Sequence, residues 1–339
     1  MKPFADLTER GQARRMRQVA ERALAAYDLD ATRLRYVATE TNTIFRVDDA
    51  AGRSFALRVG APRQDTDVDV ATELAWVAAL NRETHLPVVH AFPNRNGDFM
   101  TIAGDADVPE ERRCVMFRWL PGAVLDDRAT PGTYTELGEV AAGLAEHGQR
   151  WKPPPGLHPL VWDRIFYYPT EPVVMFDPTH RRVMTPARTK VFREVMDRAE
   201  AELTRLRDVQ PRGWLHGDLN PWNAMVYRGR VTVFDFEDVT VGPAVQDVAT
   251  TLFYGRERDN YWELRRAFQE GYERVRPWPV EYEGQLELLM AARSIMFVNY
   301  VIRIGDDSDD EYSPAAYADR VTKRLRKYLR DFPDWPPSS

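Results

Sequence analysis

The sequence predicts an α+β protein in two lobes. Strand-like apolar runs bounded by turn residues crowd the early part of the chain, and helical periodicity dominates the rest. The chain's 339 residues are enough for two lobes with a sizeable core. Residues 1–119 are expected to form a smaller sheet-rich lobe, and 120–339 a larger, mainly helical one.

In chain order, residues 12–27 read as an amphipathic helix. Met16, Val19, Ala20, Ala23, Leu24 and Tyr27 recur at three- and four-residue steps, with charged residues between them. Strands follow at 34–37, 43–47 and 55–59, with a turn over 48–53. In the third strand Phe55, Leu57 and Val59 share one face, and Ala56 and Arg58 share the other. The helix over 68–80 is nearly all apolar or small, and Glu73 is the one carboxylate in its middle. A buried charge without a partner is costly, so Glu73 calls for a cation, and Arg58 is the candidate. Residues 113–122 read as a strand closing on a Pro-Gly turn.

Two further amphipathic helices are expected at 134–147 and 189–206. Residues 151–182 between them are rich in proline and aromatics, show no period, and read as an irregular insertion. Helices over 261–275, 283–304 and 315–331 complete the larger lobe. The acidic run Asp306-Asp307-Ser308-Asp309-Asp310-Glu311 separates the last two and is expected to be a solvated loop.

Composition narrows the function. A formal net charge of -6 gives no support to a nucleic-acid partner. The one cysteine, Cys114, sits in an apolar run and reads as a buried thiol. The first residues do not resemble a signal peptide, and no apolar stretch is judged long enough to span a bilayer. A cytoplasmic protein without a membrane partner is the expectation. No P-loop, dinucleotide fingerprint or zinc motif is present.

The chemistry concentrates in His216-Gly217-Asp218-Leu219-Asn220-Pro221-Trp222-Asn223. This turn-rich stretch precedes the β-rich runs Ala224-Met225-Val226-Tyr227 and Val231-Thr232-Val233-Phe234, and the second ends on Asp235-Phe236-Glu237-Asp238. A carboxylate on a loop, an amide five positions later and a carboxylate at a strand end suit phosphoryl transfer. Asn223 and Asp235 offer oxygen ligands to a nucleotide's metal, and Asp218 can orient a hydroxyl and take its proton.

The order His-x-Asp-x-x-x-x-Asn and then a metal Asp resembles the protein-kinase-like superfamily, and Gly217 resembles its aminoglycoside-phosphotransferase branch. The stretch 214–247 also looks like the stress-response kinase (SrkA/RdoA-like) and homoserine-kinase-type subgroup. The resemblance implies a bilobal protein-kinase-like fold, ATP and Mg²⁺ as cofactors, and a hydroxyl acceptor, with a small molecule favoured over a protein acceptor of the stress-response type and over a nucleotide-binding pseudokinase. It implies Asp218 as the catalytic base and Asn223 and Asp235 as metal ligands. Arg58, fixed by Glu73, would lie on the phosphates, with Ala56 over the adenine. Met116, Phe117 and Trp119 would form the adenine hinge, with Met116 at the back of the pocket. Asn42 and Thr43 stand where a glycine-rich loop would otherwise cover the phosphates. His216 would brace the loop, Glu237 or Asp238 would support the metal, and Asp247 would organise the catalytic loop from a helix.

Overall fold

The computed structural model describes residues 2–61, 66–305 and 313–335, so the acidic run 306–311 lies outside the described residues. The first helix, α1 (Glu9–Leu24), starts where the Thr8 hydroxyl accepts the Gly11 N–H. It buries Met16, Val19, Ala20 and Ala23. Then come β1 (Ala31–Thr39), β2 (Thr43–Asp49), β3 (Ser54–Val59), α2 (Asp67–Glu83), β4 (Ala91–Phe92), β5 (Met100–Ala103), β6 (Arg112–Arg118) and β7 (Ala123–Val124). The sheet runs β1-β2-β3-β6-β4, and β5 also pairs with β6. A capping box between Thr66 and Asp69 opens α2.

Strand alternation gives this sheet two different faces. Phe55, Leu57 and Val59 of β3 join Cys114 and Met116 of β6 in one core with α1. Ala56 and Arg58 take the other face, and Phe117, paired with Ala56, lies on it too.

The remaining elements are α3 (Pro131–Arg150), β8 (Leu160–Val161), α4 (Pro186–Val209), β9 (Arg212–Leu215), β10 (Ala224–Tyr227), β11 (Arg230–Val233) and β12 (Thr240–Pro243). After them come α5 (Val245–Gly255), α6 (Tyr261–Glu273), α7 (Gln285–Ile304) and α8 (Pro314–Asp331). The chain divides into two compact units. Met1–Arg128, Lys152–Pro159 and Trp222–Asp238 form the first; Ala129–Trp151, Leu160–Pro221 and Val239–Ser339 form the second. The hairpin β10–β11 therefore groups with the first unit and not with its sequence neighbours. Its β10 pairs with β7, and Val233 at its end exchanges backbone hydrogen bonds with Pro87 and Val89.

In the second unit β12 lies between β8 and β9, parallel to the first and antiparallel to the second. The expected irregular insertion thus holds one short strand, too brief to leave a periodic signal. Contrary to expectation, α7 is long and apolar enough by composition to cross a membrane, yet 72% of its apolar window is buried inside the protein. It packs on α4, α5 and α8.

Helix α3 seats β9, which leads into the His216 loop. A Cβ on Gly148 of α3 would lie 2.0 Å from the Trp214 carbonyl oxygen, so the two backbones touch where any larger residue would part them. Gly148→Ala should lower stability by about 1–3 kcal/mol through overpacking. An unchanged urea midpoint would show that this contact does not set the position of β9.

Candidate active site

The catalytic-loop candidates sit in the second unit. Gly217 has φ +82°, in the left-handed region where a side chain is disfavoured, which accounts for glycine between His216 and Asp218. Helix α5 then holds the loop at several points. Both Asp247 oxygens accept backbone hydrogen bonds, from His216 N–H at 2.8 Å and Gly217 N–H at 3.0 Å. The Thr251 hydroxyl donates to the Leu219 carbonyl at 2.6 Å. His216 is fully buried, and its Nδ1 accepts the Asp218 N–H at 3.4 Å. Burial pushes the Asp247 carboxyl up to about 6, against the pull of the two N–H groups.

Asp218 stands at the exposed edge of this arrangement. Its Oδ2 accepts from Asn220 Nδ2 at 2.7 Å, and its Oδ1 accepts from the Tyr254 hydroxyl at 3.4 Å. Oδ1 is also ion-paired with Nη2 of Arg293, which in turn donates to the Tyr254 oxygen at 3.0 Å. The Asp218 side chain keeps 21% of its surface exposed against 6% for Arg293, so the carboxylate can still meet a ligand.

The metal-ligand candidates sit in the first unit, at the open end of the β10–β11 hairpin. Arg228 and Gly229 both have positive φ, the type I′ geometry that suits a two-residue hairpin. The register pairs Ala224 with Val233, and Phe234 N–H donates to the Asn223 carbonyl at 2.9 Å. Asn223 and Asp235 are thereby brought to the same end. Asp235 has φ +65°, strained for a residue with a side chain, and strain of this kind gathers at functional sites. Trp76 of α2 packs edge-on to Phe236 at 5.5 Å and fixes the segment from behind.

Arg58 and Glu73 meet as expected. Nη1 and Nη2 of Arg58 reach the two Glu73 oxygens at 2.9 and 2.5 Å, a bidentate pair between buried side chains. Nη1 also reaches Glu237 Oε2 at 3.4 Å, and that oxygen accepts from Asn42 Nδ2 at 2.6 Å. Burial works against the Arg58 charge, but Glu73, Glu237 and Asp235 outweigh it and hold the pKa above the usual arginine range. The carboxylates outnumber the cation. Burial and then Glu237 push the Asp235 carboxyl well up, only partly offset by Arg58, with Glu73 and Asp238 adding to the rise. A divalent cation would relieve that crowding, and hard oxygen donors suit Mg²⁺, so Asn223 and Asp235 fit a metal. Among the described residues no group of three or more acidic, histidine or cysteine side chains could hold an ion alone. A Mg²⁺ that shares nucleotide phosphates needs only one or two protein ligands.

Two expected nucleotide contacts lie elsewhere. Met116 is fully buried in the α1 core, on the opposite sheet face from Arg58. Thr43 is in register with Val59, so it shares that core face, and its hydroxyl meets that of Thr39 at 3.2 Å. Both miss for one reason: adjacent strand residues point to opposite faces. Ala56 and Phe117 do share the Arg58 face, and the Arg58 guanidinium lies 5.4 Å from the Phe117 ring centre. The Trp119 ring is covered by Arg46 at 4.8 Å.

The phosphotransferase enzyme family (APH) matches residues 33–280. The chain belongs to the phosphotransferase enzyme family. No curated protein matches its sequence. Among solved structures it is similar to a microcompartment-associated aminopropanol kinase, with 23% identity over 93% of this chain and 98% of that one and a TM-score of 0.75. It is also similar to the amicoumacin kinase hAmiN, solved with AMP-PNP, Ca²⁺ and Ami, at 16% identity, 94% and 96% coverage and TM-score 0.74. The aminoglycoside phosphotransferase APH(4)-Ia has 17% identity, 93% and 98% coverage and TM-score 0.61. At these identities the likeness establishes a shared α+β fold.

Sequence reasoning about this phosphotransferase-family chain passed over Arg293, Tyr254 and Asn220. The signal for Arg293 was present. It is a lone cation in the apolar middle of α7, as Glu73 is the one carboxylate in the middle of α2.

Two outcomes follow from these contacts. Arg58→Ala and Glu73→Ala should each cost about 3–5 kcal/mol of stability, because each leaves a buried charge behind. The double variant should lose less than the sum, and strict additivity in a chemical-unfolding cycle would mean that the pair carries no coupling. Asp247 gives a pH signature. Its carboxyl titrates at 3.8 unfolded and at about 6 folded, so its favourable contribution is full below the first value and lost as pH rises through the second. Wild type should therefore lose about 1 kcal/mol relative to Asp247→Asn between about pH 5 and about pH 7. A gap that is constant or grows would contradict the raised value.

Proposed function

We propose that this family member transfers the γ-phosphoryl group of ATP to a hydroxyl of a small molecule, such as an amino alcohol, a sugar or an aminoglycoside-like compound. The observation that carries the reading is the Asp218 carboxylate, partly exposed on a loop that α5 fixes through Asp247. Asp218 accepts the hydrogen bond of the acceptor hydroxyl and takes its proton as the oxygen bonds to the γ-phosphorus; the bond to the bridging oxygen breaks and ADP leaves. Asn220 and Arg293 hold the carboxylate in one orientation. Asn223 and Asp235 would hold Mg²⁺, which supplies positive charge to the phosphate oxygens. Arg58 has hydrogens on Nε and Nη2 beyond those used on Glu73 and Glu237, and these can reach phosphate.

A small acceptor is favoured over a protein by the brevity of the segment after Asp235. Strand β12 begins at Thr240, which leaves no extended platform for a peptide. The finer placement beside the stress-response and homoserine-kinase-type subgroup rests on the resemblance of residues 214–247 alone. A screen of ATP consumption across hydroxyl compounds tests the reading, with Asp218→Asn as control. The variant should keep nucleotide binding and lose about 10²–10⁴-fold in turnover. Acceptor-dependent turnover that survives in the variant would remove Asp218 from its role.

A further inference from the structure

Around Asp218 the second unit builds a subsite of the kind that recognises organic cations, and the chain's own Arg293 occupies it. Tyr254 and Phe253 of α5 and Phe297 of α7 surround the guanidinium, with ring centres at 5.3, 5.8 and 5.4 Å from its carbon. These distances lie within the range of cation–π attraction. The rings support one another, Phe253 stacked on Phe297 at 5.7 Å and Tyr254 edge-on to Phe297 at 6.3 Å. The carboxylate of Asp218 closes the set.

Among the described residues, Nε and Nη1 of Arg293 have no hydrogen-bond partner. Arg293 also lines a small cavity of about 20 Å³ together with Thr250 and Gln246, which has room for about one water. Among the described residues Nη2 alone makes hydrogen bonds, and both are to groups of the subsite, Asp218 and Tyr254. Burial opposes the charge, but Tyr254, Asp218 and Tyr167 outweigh it, so the guanidinium stays charged.

We infer that Arg293 determines acceptor class: it fills the cation subsite of Asp218, Tyr254, Phe253 and Phe297, and so narrows the acceptors proposed above to those whose reacting end is a neutral hydroxyl-bearing group, a sugar before an amino alcohol with an ammonium beside the hydroxyl. The inference rests on the reading of Asp218 as the group that meets the acceptor. A carboxylate walled by aromatic rings attracts an ammonium. Here the carboxylate is already neutralised, the ring faces are taken, and a second cation would meet the first at close range. Arg293 itself is a positioning residue, acting on the acceptor through Asp218 and through the space it fills.

Two measurements test this. Matched acceptor pairs, ethylene glycol against ethanolamine, 1,2-propanediol against 1-amino-2-propanol and glucose against glucosamine, are compared by kcat/KM. Wild type should favour the neutral member of each pair at least about tenfold, and Arg293→Ala should narrow or reverse that preference. Separately, guanidinium chloride at millimolar concentration is titrated into both proteins and followed by NMR. Binding should be at least about tenfold tighter in Arg293→Ala, because the ion enters the emptied cage, and it should restore the neutral preference. Equal guanidinium binding by the two proteins, or a wild-type preference for the amines, overturns the inference. If Arg293→Ala does not fold, Arg293→Gln goes through the acceptor pairs, and an unchanged preference overturns it. Should wild type phosphorylate no acceptor of either charge, the phosphotransfer reading fails, while the guanidinium titration still decides whether Arg293 occupies a cation subsite.

Discussion

The Asp247 carboxylate, in the first turn of α5, takes the backbone N–H groups of His216 and Gly217 on its two oxygens, and the loop that carries Asp218 depends on those bonds. Buried N–H groups need acceptors, and a loop this irregular cannot supply them from a strand or helix ladder. Other contacts follow from that anchor. Gly217 turns with positive φ while its N–H is held, Thr251 ties down Leu219 one helical turn along from Asp247, and Asp218 is carried to the exposed edge. Upstream, β9 is seated on α3 through Gly148, so the loop enters from a fixed direction.

The two units handle buried charge in different ways. In the first, Arg58 stands against Glu73, Glu237 and Asp235, which leaves an excess of negative charge that a metal can balance. In the second, Arg293 and Asp218 balance each other within a ring of aromatics. Arg58 keeps its charge in a low-dielectric interior because Glu73, Glu237 and Asp235 outweigh its desolvation, and Arg293 does so through Tyr254, Asp218 and Tyr167.

Much of this was legible in the sequence for physical reasons. The helices announced themselves by period, the His216–Asn223 spacing named the loop, and Glu73, a lone carboxylate on an apolar helix, pointed to Arg58. Thr43 and Met116 were misplaced because a motif says which strand a residue occupies, whereas the face follows from register, and the pairs Thr43 with Val59 and Leu57 with Met116 put both on the α1 side. The grouping of the β10–β11 hairpin with the first unit depends on β7 and on residues 87–89, which are distant in sequence and, for β7, only two residues long. Arg293 carried the same signal as Glu73, but its partner lies 75 positions away on a loop, and periodicity cannot name such a pair.

Phosphorus NMR of the protein with ATP, Mg²⁺ and a pool of hydroxyl compounds follows the phosphoryl group itself. The γ-phosphate signal of ATP should be replaced by ADP and a phosphomonoester, both changes should require Mg²⁺, and Asp218→Asn and Asp235→Ala should each suppress them. ATP consumed only to inorganic phosphate, at a rate indifferent to acceptor and to both substitutions, would contradict the proposed transfer.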